Sequence, residues 1–520
     1  MPVKTLLARA ALHCAWACAL SAGCAFTPAF VSNEVCDSEL RAVDRCWIIG
    51  GAIRVRPGLG PDGSSILYYA GTGRPSGFSN SASFLALVKP GQTYRFSAYL
   101  DGADHQDVPP YVILSAVNGS WSGASLYQPG KGRVATVFTI PADSRTTLVR
   151  GQFATENGTY PRGRGAIFSQ PQLEASDRAQ PYEPSDDPRW TAVPPHGNLI
   201  VGSEAARSVR YWKFGRGMEP LRYFGPHSYD TVVYTGDGSP SGFARTASFL
   251  ARVRAGTNYT FSAYVDASRH AGAPAYVFLT AVDGTWKGTS LFQPDRGRIT
   301  TTFDIPAASN TTMVRGTFSL ENGTYPIGSV AEFAEPQLEA GDFPHAYAPS
   351  DDSVLSEPSG GNLIASSEAL ESPPWTLAGR MQREPLSFEK RSATFDYRGE
   401  GKPSGFGVTA STHAPVLPGE TYTLSAYVDG SSHADAPPYV WVLPVNGRWS
   451  GAHTYQGDRG LTLLTFTVPP KSGTTCVDIE FSTQNGTYPV GRGMIVARPQ
   501  LTAGSELHRY VPGAAAAPCT

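Results

Sequence analysis

Apolar and polar residues alternate with a period of two along much of this chain. In the segment 93–101 the apolar side chains fall on one side of an extended backbone, and they are Tyr94, Phe96, Ala98 and Leu100. This pattern predicts a half-buried β-strand. It predicts similar strands at Ser83–Val88, Tyr111–Val117, Val134–Ile140, Thr147–Phe153 and Ile167–Leu173.

Turn residues separate these strands, as in Lys89-Pro90-Gly91-Gln92, and no segment shows a convincing amphipathic helix. About seven or eight short strands in about 150 residues indicate an antiparallel sandwich of two sheets. The predicted fold class is therefore all-β, with jelly-roll sandwiches.

The sequence contains three tandem copies of one unit. The motif Pro-Ser-Gly-Phe ends at Phe78, Phe243 and Phe406, at separations of 165 and 163 residues. The same separations relate Tyr99, Tyr264 and Tyr427, then Trp121, Trp286 and Trp449, then Asn157, Asn322 and Asn485. Such a period indicates tandem domains. We predict repeats at 33–185, 197–350 and 361–512, linkers at 186–196 and 351–360, and an alanine-rich tail at 513–520.

The first 24 residues have the pattern of an export signal. Lys4 and Arg9 precede a short apolar run, which leads to Cys24 in a sequence that resembles a bacterial lipobox. We expect Cys24 to be lipidated and to become the mature N-terminus. The alternative is ordinary cleavage nearby, with Cys24 incidental. Ala25 after the cysteine resembles outer-membrane sorting, so the expected location is the outer membrane or cell surface of a bacterium.

Four cysteines remain after the lipid-attachment position, namely Cys36, Cys46, Cys476 and Cys519. An exported compartment permits disulfides, and four cysteines allow three pairings. Proximity in sequence favours Cys36 with Cys46 and Cys476 with Cys519. The spacings do not resemble a zinc site.

Composition narrows the classes of function. The chain has 520 residues, 55 of them glycine and 43 proline, which fits a fold rich in turns. Its 42 basic and 44 acidic residues give a formal charge of −2. This charge lacks the basic excess that binding to a nucleic-acid backbone requires, so we expect no nucleic-acid partner.

Short motifs at both ends of the repeats resemble those of bacterial carbohydrate-binding modules of the family four and nine type. They are Gly-Asn-Leu-Ile at residues 197 and 361, the strand Phe261–Val265 and the closing segment Pro336–Gly341. Related closing segments are similar to those of lectin-like domains in phage tail proteins. The resemblance implies galactose-binding-like jelly rolls that bind glycan chains on a concave sheet, with a possible structural calcium. Glu174 and Glu339 match the closing glutamate of these modules, whereas the third repeat has Thr502.

Two sets of residues are candidates for sugar binding, because aromatic rings stack on pyranose rings while amides and carboxylates bind hydroxyls. The first set follows an Asn-Gly or Asp-Gly turn and comprises Trp121, Tyr127, Gln128, Trp286, Phe292, Gln293, Trp449, Tyr455 and Gln456. Its alternative role is packing, with each tryptophan folded back over a sheet edge. The second set comprises Tyr99, Asp101, Tyr264, Asp266, Tyr427 and Asp429, which bind only if their strand face forms a groove. We expect the early tryptophans Trp47, Trp212 and Trp375 in the cores.

Catalysis has no support in the sequence, because no nucleophile elbow, metalloprotease motif or phosphate loop is present, and no pair of carboxylates recurs in all repeats. The predicted function is a non-catalytic, exported, lipid-anchored protein that binds polysaccharide or cell-surface glycan and requires no cofactor. Three linked modules would raise avidity. The alternatives are a structural or adhesive surface protein and a phage-derived structural component.

Overall fold

The computed structural model describes residues 33–76, 80–155, 157–185, 187–240, 245–269, 274–293, 295–320, 323–368, 374–388, 392–514 and 519. The predicted signal peptide, with Cys24, lies outside these residues. Within them the chain forms three antiparallel β-sandwiches, which confirms the predicted fold class. No helix in the described ranges is long and apolar enough to cross a membrane.

The three sandwiches have matching series of strands. The first contains the helix α1 (Val43–Cys46) and the strands β1 (Ile48–Ile49), β2 (Ile53–Arg56), β3 (Ile66–Ala70), β4 (Ser81–Leu87), β5 (Thr93–Asp101), β6 (Tyr111–Ala116), β7 (Ala124–Tyr127), β8 (Lys131–Thr139), β9 (Leu148–Ala154) and β10 (Gly165–Glu174). The second contains β11 (Lys213–Phe214), β12 (Met218–Leu221), β13 (Thr231–Thr235), β14 (Thr246–Arg252), β15 (Thr257–Asp266), β16 (Ala275–Ala281), β17 (Thr289–Gln293), β18 (Arg296–Ile305), β19 (Met313–Ser319) and β20 (Val330–Ala340). The third contains β21 (Thr376–Ala378), β22 (Gln382–Phe388), β23 (Ser392–Arg398), β24 (Thr409–Pro415), β25 (Thr421–Asp429), β26 (Tyr439–Pro444), β27 (Ala452–Tyr455), β28 (Arg459–Thr467), β29 (Cys476–Ser482) and β30 (Gly493–Ala503). Short 3-10 helices occur at Pro61–Gly63, Pro188–Thr191, Val209–Tyr211, Pro226–Ser228, Ala307–Ser309 and Asp352–Val354.

Each sandwich packs a front sheet against a back sheet. In the first repeat the front sheet has the order β2-β3-β10-β5-β8, and the back sheet has the order β1-β4-β9-β6-β7. The equivalent strands of the other repeats follow the same orders. The predicted alternation is confirmed in β5, because its four apolar side chains are all buried between the two sheets. The early tryptophans Trp47, Trp212 and Trp375 also lie in the cores, as expected.

A buried asparagine ties the start of each repeat to its end. In the second repeat Asn198 Nδ2 donates to the carbonyl oxygens of Pro336 (2.9 Å) and Ala348 (3.1 Å). Its Oδ1 accepts from the backbone nitrogens of Ile200 (3.2 Å) and Leu338 (3.1 Å). Asn33 and Asn362 make the equivalent bonds. The opening and closing motifs therefore recur because one amide joins them.

Another pair of repeated motifs closes one end of each sandwich. Pro75 forms a bridge with Thr159, and the neighbouring Tyr160 is fully buried. The Tyr160 ring packs edge-on against Tyr69, with ring centroids 5.7 Å apart. Tyr325 and Tyr488 occupy the same place in the other repeats. This Asn-Gly-Thr-Tyr motif therefore serves packing.

Both disulfides that proximity favoured are present. Cys36 and Cys46 are joined across α1, with Cα atoms 6.1 Å apart. Cys476, on β29, is joined to Cys519 in the tail, with Cα atoms 5.7 Å apart. Each bond therefore fixes a segment that lies outside the regular sheets.

The sheets continue from one repeat into the next. At the first junction β1 pairs with β18, with Ile48 opposite Gly297. At the second junction β11 pairs with β28, with Lys213 opposite Gly460. A back sheet and the following front sheet thus form one ten-stranded sheet at each junction. The sequence analysis treated the repeats as separate units and did not foresee this continuity.

Apolar side chains reinforce both junctions. At the first, Leu85 and Leu148 pack with Trp190, whose ring lies 4.9 Å from that of Phe343 in the second repeat. At the second, Tyr211, Leu250, Met313, Leu355 and Leu507 form an equivalent cluster. Part of the predicted linkers, at Trp190 and Leu355, is therefore packed into the junctions.

We predict that Asn198→Ala lowers the free energy of unfolding by about 3 kcal/mol. The change removes a buried side chain that satisfies four backbone groups, and each unsatisfied group costs roughly 1 kcal/mol or more. Urea titration followed by tryptophan fluorescence measures this loss. Asn258→Ala, at an exposed position of the same repeat, is the control and should change stability by less than about 0.5 kcal/mol. Equal effects of the two changes would contradict the role given to Asn198.

Candidate ligand-binding surfaces

The three predicted platform tryptophans are packed against a phenylalanine of the neighbouring strand. Trp121 stacks on Phe138 with ring centroids 4.7 Å apart and is only 9% exposed. Trp286 and Trp449 stack in the same way but are half-buried. This arrangement is the alternative role, in which the tryptophan folds back over the sheet. Trp121 has little surface left for a ligand.

The predicted glutamines do not form a common polar rim. Gln456 is buried and donates to the carbonyl oxygen of Gly460 at 3.3 Å. Gln128 is half-buried near Gly132, and the side chain of Gln293 lies outside the described part of the chain. The structure therefore differs from the prediction at Gln456, whose amide satisfies a backbone group.

The second predicted set lies on the front sheets, and neighbouring repeats limit access to it. Tyr264 is buried, and Tyr427 lines a small cavity at the second junction, together with Tyr211 of the preceding repeat. Tyr99, in the first repeat, stays partly exposed. The prediction made these tyrosines binders only if their strand face forms a groove, and the three repeats expose them to different extents.

The aspartates of this set have local structural bonds. Asp266 and Asp429 each accept hydrogen bonds from the backbone and hydroxyl of the serine two residues later. Asp101 accepts from the backbone nitrogen of Ala103 and lies 3.4 Å from Lys131 Nζ. These carboxylates therefore hold the turn that follows their strand.

Exposed aromatic rings recur on the outer face of each back sheet. Tyr127, Phe292 and Tyr455, all from the predicted set, are 61%, 65% and 49% exposed. Each pairs across the hairpin with a tyrosine of the preceding strand, and those partners are Tyr111, Tyr276 and Tyr439. We call the resulting surface the aromatic strip. It lies at the edge of the back sheet that is farthest from the junction strand.

The strip is largest in the third repeat. Tyr439 stacks on Trp441 with centroids 5.0 Å apart, and His453 lies 4.9 Å from the Trp441 ring. Tyr455 completes the group, because its ring centroid is 3.9 Å from that of Tyr439 and their hydroxyls are hydrogen-bonded. This bond raises the pKa of Tyr439. The second repeat has Tyr276, Phe278 and Phe292, and the first has Tyr111 and Tyr127.

A hydrogen-bonding group stands beside each strip. Glu480 is directly opposite Trp441 in the ladder, and Thr317 and Gln152 are opposite Phe278 and Ile113. Burial and the nearby charge of Asp478 raise the pKa of Glu480. The third repeat therefore combines four rings with a carboxylate on one face.

The sequence analysis missed six of the nine side chains of the strip, namely Tyr111, Tyr276, Phe278, Tyr439, Trp441 and His453. A signal was available, because Tyr439 and Trp441, like Tyr276 and Phe278, are two residues apart and so share one strand face. The sequence pattern instead favoured the tryptophan after the turn as a ligand platform, because a residue at a hairpin tip is hard to bury.

The closing glutamates do not fit the calcium that the resemblance implied. Glu339 accepts hydrogen bonds from Gln337 Nε2 and from the backbone and ring nitrogens of His345. Glu174 accepts from Gln172 Nε2. Their oxygens are thus directed at nitrogen donors, whereas calcium needs six to eight oxygen ligands. In the described residues no three His, Cys, Asp or Glu side chains form a group that could hold a metal.

The two junctions differ in charge. At the second, Lys213 Nζ lies 3.3 Å from Asp458, and Arg459 pairs with Glu219 at 2.5 Å. At the first junction the positions equivalent to Lys213 and Glu219 hold Ile48 and Arg54. Asp295, the counterpart of Asp458, is buried and accepts from the Gly51 backbone nitrogen at 3.4 Å. Burial, with a smaller contribution from Asp266, raises the pKa of Asp295 to about 6.

Sandwich modules with exposed aromatic rings are thus the class of structure that this chain presents, and its similarity to known proteins is weak. No protein-family model and no curated protein matches the sequence. Among solved structures it is similar to the tandem family 22 carbohydrate-binding modules of Paenibacillus barcinonensis Xyn10C, with 12% identity, 61% of this chain and 100% of that chain covered, and a TM-score of 0.20. A family 4 carbohydrate-binding module has 16% identity, with 27% and 94% covered and a TM-score of 0.21. The enzymatically active domain of tailspike protein 4 from bacteriophage CBA120 has 14% identity, with 27% and 21% covered and a TM-score of 0.20.

We predict that Asp295→Asn stabilises the protein at about pH 7.5 but not at about pH 4. A carboxyl whose pKa is raised by folding binds its proton more tightly in the folded state, so its contribution to stability falls as pH rises from about 4 to about 6. The gain at the higher pH is at most about 3 kcal/mol, because the shift is about two pKa units. Urea unfolding at both pH values measures it. Asp304→Asn, at an exposed position of β18, the strand that follows Asp295, is the control. A difference from the parent protein that is the same at both pH values would contradict the assignment.

Proposed function

We propose that this protein binds carbohydrate without catalysis and that the aromatic strips of its back sheets form the binding surfaces. The observation that carries the proposal is the recurrence of exposed rings at one structural position in all three repeats. Exposed aromatic clusters are costly to keep in water, and such patches often mark binding sites. Sugar binding would account for these exposed rings, because aromatic faces stack on the C–H side of a pyranose ring.

The third repeat is the strongest candidate for the main site. Trp441 and Tyr439 lie nearly parallel, at an interplanar angle of 12°, so together they offer an extended flat surface. Glu480 and His453 supply an acceptor and a ring nitrogen at its margin. Rings and polar groups on one open sheet face suit several sugar units of a polysaccharide better than a single small sugar in a closed pocket.

Three sites on one chain support avidity. A weak site gains when binding of a second site becomes intramolecular, by about 10²–10⁴-fold where the geometry permits. The continuous sheets at the junctions favour a fixed spacing between strips. A long polysaccharide or a glycan-covered surface is therefore the proposed partner.

The two disulfides support an exported protein, because such bonds persist in oxidising compartments. With the signal-like sequence that ends at Cys24, they lead us to propose a lipid-anchored protein at the bacterial cell surface, in the outer membrane. No part of the described chain bears on the anchor itself.

A second candidate function is structural or adhesive. The observation that favours it is the sheet continuity at both junctions, which suits a stiff spacer. In that function the strips would bind another protein, or none.

We predict that a glycan array detects binding by the purified chain and that Trp441→Ala with Tyr455→Ala weakens it by about 30-fold or more. This loss corresponds to removing aromatic side chains that dominate a binding surface. Calorimetric titration of the parent and of the variant with the glycan that binds the parent most tightly measures the change in Kd.

Phe406→Ala is the matched control, because Phe406 is an aromatic residue of the same repeat that is 61% exposed but lies outside the strip. It should bind like the parent protein. If the parent binds no glycan on the array, the proposed function is wrong and the structural candidate replaces it. If Phe406→Ala weakens binding equally, the strip is not the site.

The anchor is tested in cells. We predict that the expressed chain incorporates labelled fatty acid and fractionates with membranes, and that Cys24→Ala abolishes the label. Ordinary cleavage near Cys24 would instead leave both proteins unlabelled.

A further inference from the structure

The two junctions repeat a single geometry. Ile48 and Ile49 are opposite Gly297 and Arg296, while Lys213 and Phe214 are opposite Gly460 and Arg459, so the register is the same. The side chains differ in charge and size, yet the Trp47 and Trp212 carbonyl oxygens accept from the equivalent backbone nitrogens of Arg298 (3.3 Å) and Leu461 (2.9 Å). The junction is therefore a property of the repeated backbone.

The matching edges at the two ends of the array have no strand partner among the described residues. One is the outer edge of β8 in the first repeat, and the other is the outer edge of β21 in the third. The β8 edge has the geometry of β18 and β28, and the β21 edge has that of β1 and β11, which are the strands paired at the junctions. Thr376 is opposite Ser411 on its inner side, as Lys213 is opposite Ser248, and Gly132 is opposite Leu100, as Gly297 is opposite Val265.

A recess for the incoming strand is already present in the first repeat. Gly132 has a φ of +150°, close to +142° at Gly297 and +135° at Gly460. At Gly297 and Gly460 an added Cβ would overlap the carbonyl oxygen of Trp47 or Trp212 in the preceding repeat. At Gly132 the nearest atom to an added Cβ is Gln128 Nε2, at 3.5 Å. The space that the strand fills elsewhere is thus open here.

The third repeat is arranged like a repeat that has a successor. Gly513 N donates to Ser367 Oγ at 2.8 Å, as Ser350 N does to Ser203 Oγ before the second junction. The tail then reaches Cys519, which is bonded to Cys476. In the other repeats the residues equivalent to Cys476 are Leu148 and Met313, which hold the linker by packing with Trp190 and Leu355. Cys519 is therefore bonded to the position that the linker residues Trp190 and Leu355 contact in the other repeats.

Charge favours contact between these two end surfaces. On the third repeat Asp478 and Glu480 face outward from β29, at the positions of Arg150 and Gln152 in the first repeat. On the first repeat Lys131 and Val137 of β8 are exposed. The two carboxylates of the third repeat thus meet a lysine of the first in this contact.

We propose that copies of this chain associate head to tail, with β21 of one copy pairing with β8 of the next. Leu377 then lies opposite Lys131, Thr376 lies opposite Gly132, and the Trp375 carbonyl accepts from the Arg133 backbone nitrogen. Arg383 Nη2 already donates to the Trp375 carbonyl oxygen at 3.0 Å. A carbonyl oxygen has two lone pairs, so the second one can accept the new bond. The contact joins two different surfaces, so it builds open-ended chains of copies rather than closed dimers. It is weaker than the internal junctions, because no linker raises the effective concentration of the two edges.

Cysteine pairing across the proposed register tests the inference independently of glycan binding. Two single variants of the full chain, Lys131→Cys and Leu377→Cys, are mixed under mild oxidation. Residues directly opposite each other in an antiparallel pair have the Cα separation that a disulfide needs. We expect a covalent dimer from the mixture, and sedimentation of the parent protein should show larger species as its concentration rises.

The control mixture combines Leu377→Cys with Thr139→Cys, at an exposed position at the far end of β8. It should give at least about tenfold less dimer, since two sheet positions eight residues apart are roughly 25 Å apart. A dimer from Lys131→Cys alone would overturn the proposal in favour of a symmetric contact between two β8 edges. Equal yields from the two mixtures, or a parent protein that stays monomeric with no cross-linking, would overturn it as well.

Discussion

The buried asparagine at the start of each repeat is the constraint on which the sandwich depends. Its amide bonds four backbone groups from segments about 140 residues apart, which no regular ladder joins. It thereby fixes the opening segment beside the closing strand and sets where the following linker leaves. Because the linker position decides how the next repeat meets the previous one, this local bond also controls the geometry of the junctions.

Sequence patterns were sufficient for the sandwiches and for both disulfides. The period of two placed Tyr94 and Phe96 in the core, since burial on one strand face is a local property. The site was harder to predict. Trp121 follows a turn, where the sequence suggests exposure, but Phe138 on β8 of the other sheet stacks on its ring. Tyr264 is buried whereas the equivalent Tyr99 is partly exposed, and no pattern within a single repeat encodes that difference.

The division of roles between the two sheets follows from the junctions. Front sheets receive the edge of the preceding repeat, so their outer faces are partly covered after the first repeat. On the back sheets, the edge strand β7 and its equivalents lie away from the contact, and the aromatic rings have accumulated there. The junction strand and the aromatic strip therefore lie at opposite edges of each back sheet.

The bond between Cys476 and Cys519 determines how the third repeat responds to mechanical load. Tension applied at Cys519 passes through the disulfide to Cys476, the first residue of β29, which is the central strand of its back sheet. A central strand is held by ladders on both sides, so it resists extraction better than an edge strand that can be peeled away one bond at a time. A pull on Cys519 would thus reach the end of a strand that is held on both sides.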